Sequence, residues 1–583
     1  METKACQYCR RTFTVEEDDV VFYAKLKVPP PTWCPECRMI RRMVFRHERG
    51  LYRVTDAVTG KEIFSGIPSH SRLKIYDHDY WWSDKWDPMD YGREYDFSRP
   101  FFEQFRGLMY QVPWPSRGII DLVDSDYSDK ASYLKNCYLC FNIGRAENSA
   151  YATSSWDVKD SFDLTQADGV ELGYQCQEVS ESYKTFFSLY CDEANEVWFS
   201  RDCTGCTNCL GCVNLRSKQY YIFNKPYARD EYFARLKEFY LGSYRGLART
   251  RDLVRKAWLA YPYKYFHGTQ NVNVSGDCIH NGKNTKFSYQ VSDIEDSKYC
   301  QNANLGIKDA YDYTTWGENS ELMYETMETG NNSRNMRFVY SCWPATADTE
   351  YSIYCGSSSN LFGCIGLKKK SHCIFNKQYS QEEYLVLRER IIQHMNSMPY
   401  TDQQGRVYRY GEFFPPEFSP HGYNETIAQD YFPLSKEAAL ASGFKWGETE
   451  IREFTITVRA EDLPDHINRA DDSITREIIS CQSCEKQYRI ISSEFQFLKS
   501  NGIALPRECW ECRHRERLSW INPPRYYDRN CSCGGEGDRK GVYQNQAEHF
   551  HGPAPCPNEF ITTFAPDRPE IVYCESCYQS EVL

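Results

Sequence analysis

No run of about 18 apolar residues, the length a helix needs to cross a bilayer, occurs in the sequence, so no membrane span is expected. The opening METKACQYCRRTF has no apolar stretch of the kind a secretory leader carries. Without an export signal the expected compartment is the reducing cytoplasm. There the 27 cysteines read as metal ligands or buried thiols rather than as disulfides. A glycine-rich phosphate loop, an HExxH and a GxSxG elbow are also missing, so no familiar catalytic motif supports an enzyme. Excess positive charge is lacking too: the net charge is −12. That excludes a protein that coats nucleic acid with its whole surface and leaves only local basic clusters to argue from.

What is present is aromatic and multi-domain. Aromatic residues make up 15% of the chain, with 45 Tyr, which suits half-buried sheets or wide contact surfaces. At 583 residues the chain exceeds one core, since domains average about 100–200 residues.

The two ends carry matching cysteine pairs. Cys6-x2-Cys9 and Cys34-x2-Cys37 are separated by 24 residues, as are Cys481-x2-Cys484 and Cys509-x2-Cys512. Two CxxC knuckles bring four thiolates within tetrahedral reach of one zinc ion. The surroundings agree: Phe13 matches Tyr488, Pro31 matches Pro506, and Arg38 matches Arg513. Cys531-x-Cys533 and Cys574-x2-Cys577 supply four more thiols for a third site, with Cys556 a spare that can replace one of them. The segment IVYCESCY (571–578) aligns with KIYDHDYW (74–81), where Asp77 and Tyr80 stand for the cysteines, so the N-terminal counterpart is expected to be metal-free. About three zinc ions per chain are expected.

The middle is duplicated. KDSFDLT (159–165) answers KDAYDYT (308–314), and CLGCVNLRSKQYYIFNKPY (209–227) answers LFGCIGLKKKSHCIFNKQY (361–379). Each copy ends in a helical pattern, the second with a capping box at Ser380 and Glu383. Within each copy an acidic or amide residue, a small residue and an aromatic recur about every 10–14 residues, as short strands between turns would. A half-rung near 12 residues predicts a coil of about 22–25, the range of parallel β-helices. Tyr151, Phe162 and Tyr183 should then occupy similar places on successive turns.

Three motifs offer chemistry. Cys203, Cys206, Cys209 and Cys212 have iron–sulfur-like spacing. The second copy keeps only the outer two, as Cys355 and Cys364, which favours a structural stack of small buried residues. Asp160/Asp163 and Asp309/Asp312 resemble the carboxylate pairs of a β-helical glycosidase, yet they recur in both copies and read as turn residues. RMIRRMVFRHERGLYR (38–53) holds six arginines and one acid. On a helix Arg38, Arg42, Arg46 and Arg49 share a face, joined by Arg41, which is a phosphate-binding surface for RNA. The competing reading pairs these arginines with the chain's own acids.

The pattern CxxC-x3-F/Y, an aromatic pair such as Phe22-Tyr23, then PxxCPxCR resembles the family called probable zinc-ribbon domain. Trp510 replaces Pro35 in the C-terminal copy. Over nearly its whole length, in CPxCR-x2-RR, WWSDKWD (81–87), FFEQF (101–105), YNET (423–426) and FNKQY (375–379), the chain is similar to a bacterial family of large zinc-ribbon proteins. Some members of that family are labelled CaiB/BaiF CoA-transferases, but no CoA-binding or catalytic pattern is visible here. The resemblance implies zinc folds at both ends.

The expected fold is multi-domain and mainly β, with treble-clef or zinc-ribbon-like modules at both ends of a duplicated β-helix-like solenoid with short helices. The units are an N-terminal zinc module (1–53), a metal-free ribbon-like extension (54–124) and solenoid copy 1 with its closing helix (125–240). A helical linker (241–277), copy 2 with its helix (278–399), an irregular connector (400–476) and a double zinc module (477–583) follow. The expected function is a non-enzymatic zinc-stabilised scaffold whose partner is RNA, a ribonucleoprotein or a protein. The alternatives are a β-helical carbohydrate-active enzyme and an iron–sulfur redox protein.

Overall fold

From Ile119 to Ile222 the chain runs as parallel strands in which each residue pairs with the one twelve positions on: Leu134 with Ala146, Ala146 with Val158, Val158 with Val170. The computed structural model describes residues 1–448 and 454–582; residues 449–453, inside the connector expected at 400–476, lie outside the described residues. A second parallel stack runs from Gly268 to Ile374 with steps of 11 to 13, as in Gly268 with Ile279, Ile279 with Val291 and Met323 with Met336. The described residues are therefore mainly β.

Every third residue of the first stack is left-handed: Lys130, Tyr133, Asn136, Leu139, Asn142, Arg145, Asn148 and onward. Each such residue turns a corner, so four three-residue sides close one turn. A residue with a Cβ pays roughly 1–2 kcal/mol for this conformation, least for Asn and Asp. Side-chain ladders up the corners offset it: Asn136 donates to Asn148 and Asn148 donates to Asp160, both at 3.0 Å. The residue after each corner is buried and small or aliphatic: Cys137, Cys140, Ile143, Ala146, Ser149, Ala152, Ser155, Val158. Most of these form one apolar interior, and the second stack has its own.

Two expectations are corrected here. A full turn takes 11 to 13 residues, so the unit of about 12 expected to be half a turn is a whole one. Tyr151, Phe162 and Tyr183 do not share a column: Phe162 lies between Ala150 and Tyr174, while Tyr183 lies between Glu171 and Asn195. The aromatics face outward on different sides, and the recurring inward residue is the small one.

Helices Arg229–Glu238 and Gln381–Ser397 follow the stacks, the second with its Ser380/Glu383 capping box in place. The cysteine-bearing ends dock crosswise. The N-terminal hairpin (Glu2–Ala5, Thr12–Val15) and helices Glu17–Leu26 and Pro35–Met43 share a core with the second stack, where Phe22 lies 3.8 Å from Tyr311, ring on ring. The C-terminal helices Ser492–Asn501 and Trp510–Leu518 share a core with the first, where Phe497 meets Phe162 at 5.1 Å.

Candidate metal centres

A CxxC knuckle is a hairpin turn whose backbone N–H groups and sulfurs face one point. At the N-terminus Cys6 N–H bonds Arg11 O, Arg10 is left-handed, and the second pair opens helix Pro35–Met43, where the helix dipole favours thiolates. The C-terminal knuckle repeats this with Cys481 N–H on Lys486 O and Glu485 left-handed. Four sulfurs converge in each: Cys6, Cys9, Cys34 and Cys37, then Cys481, Cys484, Cys509 and Cys512. Cys9 and Cys34 sulfurs lie 3.8 Å apart, Cys484 and Cys509 3.7 Å, and Cys481 and Cys512 3.8 Å. A tetrahedron with zinc–sulfur bonds of about 2.3 Å has edges of about 3.8 Å. The thiols of Cys34 and Cys37 pull the Cys6 thiol well below its ordinary range, and those of Cys34 and Cys6 push Cys37 up. Such a shared-proton cluster yields its protons to a cation.

The third cluster differs from the expected set. Its four sulfurs are Cys531, Cys556, Cys574 and Cys577, with Cys556 in place of Cys533. Cys533 is turned toward His549 and His551, and these two with Cys577 form another converging group. Cys556 and Cys574 sulfurs lie 3.8 Å apart. Cysteine spacing alone does not reveal the histidines; the H-x-H at 549–551, close to the spare Cys556, is the signal for them in the sequence.

No family model matches the chain, and no curated protein does.

The expected nucleic-acid face is not at the surface. Arg38, Arg41, Arg42 and Arg46 are 0–3% exposed. Arg38 pairs with Asp312 at 2.9 Å, and Arg42 with Asp312 and Glu325 at 3.1 Å. Arg41 pairs with Glu325 and Glu412 at 2.6 Å, Arg46 with Glu48 at 3.1 Å and with Glu328, and Arg49 with Asp430 at 2.5 Å. Guanidinium groups buried against carboxylates are out of reach of a phosphate in solution. The competing reading, arginines paired with the chain's own acids, describes these contacts.

The C-terminal helix repeats the arrangement on the other stack. Arg513 and Arg517 pair with Asp163 at 2.7 and 3.3 Å, and Asp163 matches Asp312 in the duplicated segments. Arg42 bonds Thr314 and Arg517 bonds the matching Thr165, at 3.0 and 3.3 Å. Arg38 lies over Tyr299 at 5.3 Å, and Arg513 over the matching Tyr151 at 5.4 Å. Of the aspartates that suggested a glycosidase, Asp163 and Asp312 therefore serve as counter-ions, Asp309 is bound by Lys25 at 2.9 Å, and Asp160 accepts from Asn148 in the corner ladder.

Cys203, Cys206, Cys209 and Cys212 occupy the four inward positions of one turn and are fully buried. Each thiol donates to the carbonyl two residues back, at 3.5–3.6 Å. Inward serines such as Ser149 and Ser161 bond the same way.

Proposed function

We propose that the chain is a non-enzymatic scaffold in which zinc-ribbon-like modules lock two duplicated β-helices into one binding body for a protein partner. The observation that carries this reading is the repeated lock. The same arginine pair, aspartate, threonine and tyrosine recur at both ends, each set joining a four-cysteine cluster to a stack. Buried ion pairs of this kind set geometry more than stability, since desolvation cancels much of their attraction. Zinc is the metal favoured by four thiolates at these separations. Free, buried cysteines throughout the chain favour a reducing compartment, the cytoplasm.

The counter-ion role of Asp163 and Asp312 weighs against the carbohydrate-enzyme reading, and the serine-like bonding of the four-cysteine turn weighs against an iron–sulfur cluster. With the arginines buried, RNA loses the feature that suggested it, and a protein partner is the reading kept. The test is crosslinking and mass spectrometry on natively purified protein before and after metal removal. A partner held across both stacks and released with the zinc is the expected result. A protein that keeps its fold and partner without metal would refute the lock, and one that cleaves glycans would refute the non-enzymatic reading.

A further inference from the structure

The C-terminal module gathers more ligands than one metal ion can use. Two groups of four donors, each with all its ligand atoms within 4.8 Å of one another, share one residue, Cys577. The geometry points to a dinuclear centre in which Cys577 bridges two zinc ions. Cys531, Cys556 and Cys574 complete the first ion's shell; Cys533, His549 and His551 complete the second's. The choice of zinc rests on the function proposed above; the bridging does not.

The donor spacings are those of two tetrahedra sharing a corner. His549 Nδ1 lies 3.3 Å from Cys533 Sγ, and His551 Nε2 lies 3.3 Å from Cys577 Sγ. A zinc ion with bonds of about 2.0–2.1 Å to nitrogen and 2.3 Å to sulfur spans such edges at about 3.5 Å. In the first shell the Cys556–Cys574 edge is 3.8 Å, that of the paired knuckles.

The other ring nitrogens are engaged, which fixes the tautomers. His549 Nε2–H donates to Glu581 at 2.8 Å, leaving Nδ1 as the ligand atom. Glu581 is itself held by the backbone N–H of Gln546 at 2.9 Å and by the Tyr543 hydroxyl at 2.5 Å. His551 Nδ1–H donates to Ala554 O at 2.7 Å, leaving Nε2 as the ligand atom. A carboxylate or carbonyl behind each imidazole is the usual support of a metal-bound histidine. Asn545 donates to the Cys533 sulfur and Asn558 to the Cys574 sulfur, both at 3.3 Å, as suits thiolates. The five cysteines are at most 5% exposed. Five thiolates around a single divalent ion would leave three buried negative charges, and a second ion leaves one.

The test uses the full chain loaded with cobalt(II) in place of zinc, and counts ions by mass spectrometry and spins by EPR. A thiolate-bridged cobalt pair couples and falls silent. The wild type should therefore bind four ions per chain while showing the intensity of two. The H549A/H551A double variant should bind three, all visible, so that its signal rises as its metal content falls. C533S gives the same reading should the double variant prove insoluble. Three ions or fewer in the wild type, or four with the full intensity of four, would overturn the bridge. One ion or none would overturn the zinc-locked scaffold as well.

Discussion

The two ends of this protein solve one problem in two ways. In the C-terminal module Cys531 Sγ accepts the backbone N–H of Cys574 at 3.2 Å, beside the third cysteine cluster. In the N-terminal module Asp56 stands at the matching place, just after strand Tyr52–Thr55 as Cys531 stands just after Tyr527–Asn530, and accepts the N–H of Asp77, the residue matching Cys574, also at 3.2 Å. Asp56 further accepts the N–H of Thr59 at 2.9 Å and of Val58 at 3.3 Å. A carboxylate with two oxygens takes three backbone donors by itself, whereas the single Cys531 sulfur takes the Cys574 N–H and also converges with three other thiols. The segment between the matching positions is also longer at the C-terminus, and that extra length carries Cys533, His549, His551 and Cys556. The capacity to hold metal is therefore a local feature: one four-cysteine cluster at the N-terminal end, and two such clusters with an adjoining Cys/His group at the other.

The largest effect that tests this comparison comes from the knuckles. Cys34→Ser should release the N-terminal module from the second stack, and Cys509→Ser should release the C-terminal module from the first. Structural zinc supplies most of the folding free energy of such modules. Limited proteolysis should show each variant cut at its own end, with one metal ion fewer by elemental analysis.

Breaking the buried ion pairs comes next. Removing one partner strands the other charge, at about 3–5 kcal/mol. Asp163→Asn should cost more than Asp312→Asn, because Arg42 keeps Glu325 whereas Arg517 has no second carboxylate among the described residues. Denaturant melts of the two variants would settle the order; equal losses would mean that Glu325 does not stand in for Asp312. Smaller still, Asp56→Ala leaves three backbone donors short of a partner and should cost about 1–3 kcal/mol, with no change in metal content.

The smallest effect is a slope. Burial, against the pull of Arg513, pushes Glu494 up to about 7 from the ordinary glutamate value of 4.5. The folded chain then binds more protons than the unfolded one between those values, so stability should fall as pH rises across that window and level off above it. Glu494→Gln should flatten the fall, measured as melting temperature against pH.

Much of this was legible in the sequence because chemistry constrains spacing. Two knuckles must present four sulfurs to one ion, so Cys6, Cys9, Cys34 and Cys37 announce themselves, and so do their C-terminal partners. The turn length is hard to read because its period, a small or aliphatic residue at every third position from Cys137 through Cys212, belongs neither to a strand nor to a helix. Propensity rules also place corners at glycine and asparagine, whereas here Tyr133, Leu139 and Tyr151 take the left-handed conformation because the stack on either side dictates it. The arginines were illegible for another reason. Whether a basic helix meets solvent or an aspartate is decided by residues hundreds of positions away, and nothing in RMIRRMVFRHERGLYR records it.

The crossed docking sets a timetable for the ribosome. Arg42 lies 270 residues before Asp312 and Arg41 lies 371 before Glu412. At about 5–20 residues per second the nascent chain waits on the order of tens of seconds before these charges can be neutralised. Asp163 in turn waits for Arg513 and Arg517, 350 and 354 residues further on. Neither half can finish alone, so a message truncated after the first stack should yield a product that chaperones hold and proteases clear, rather than a smaller version of the same protein.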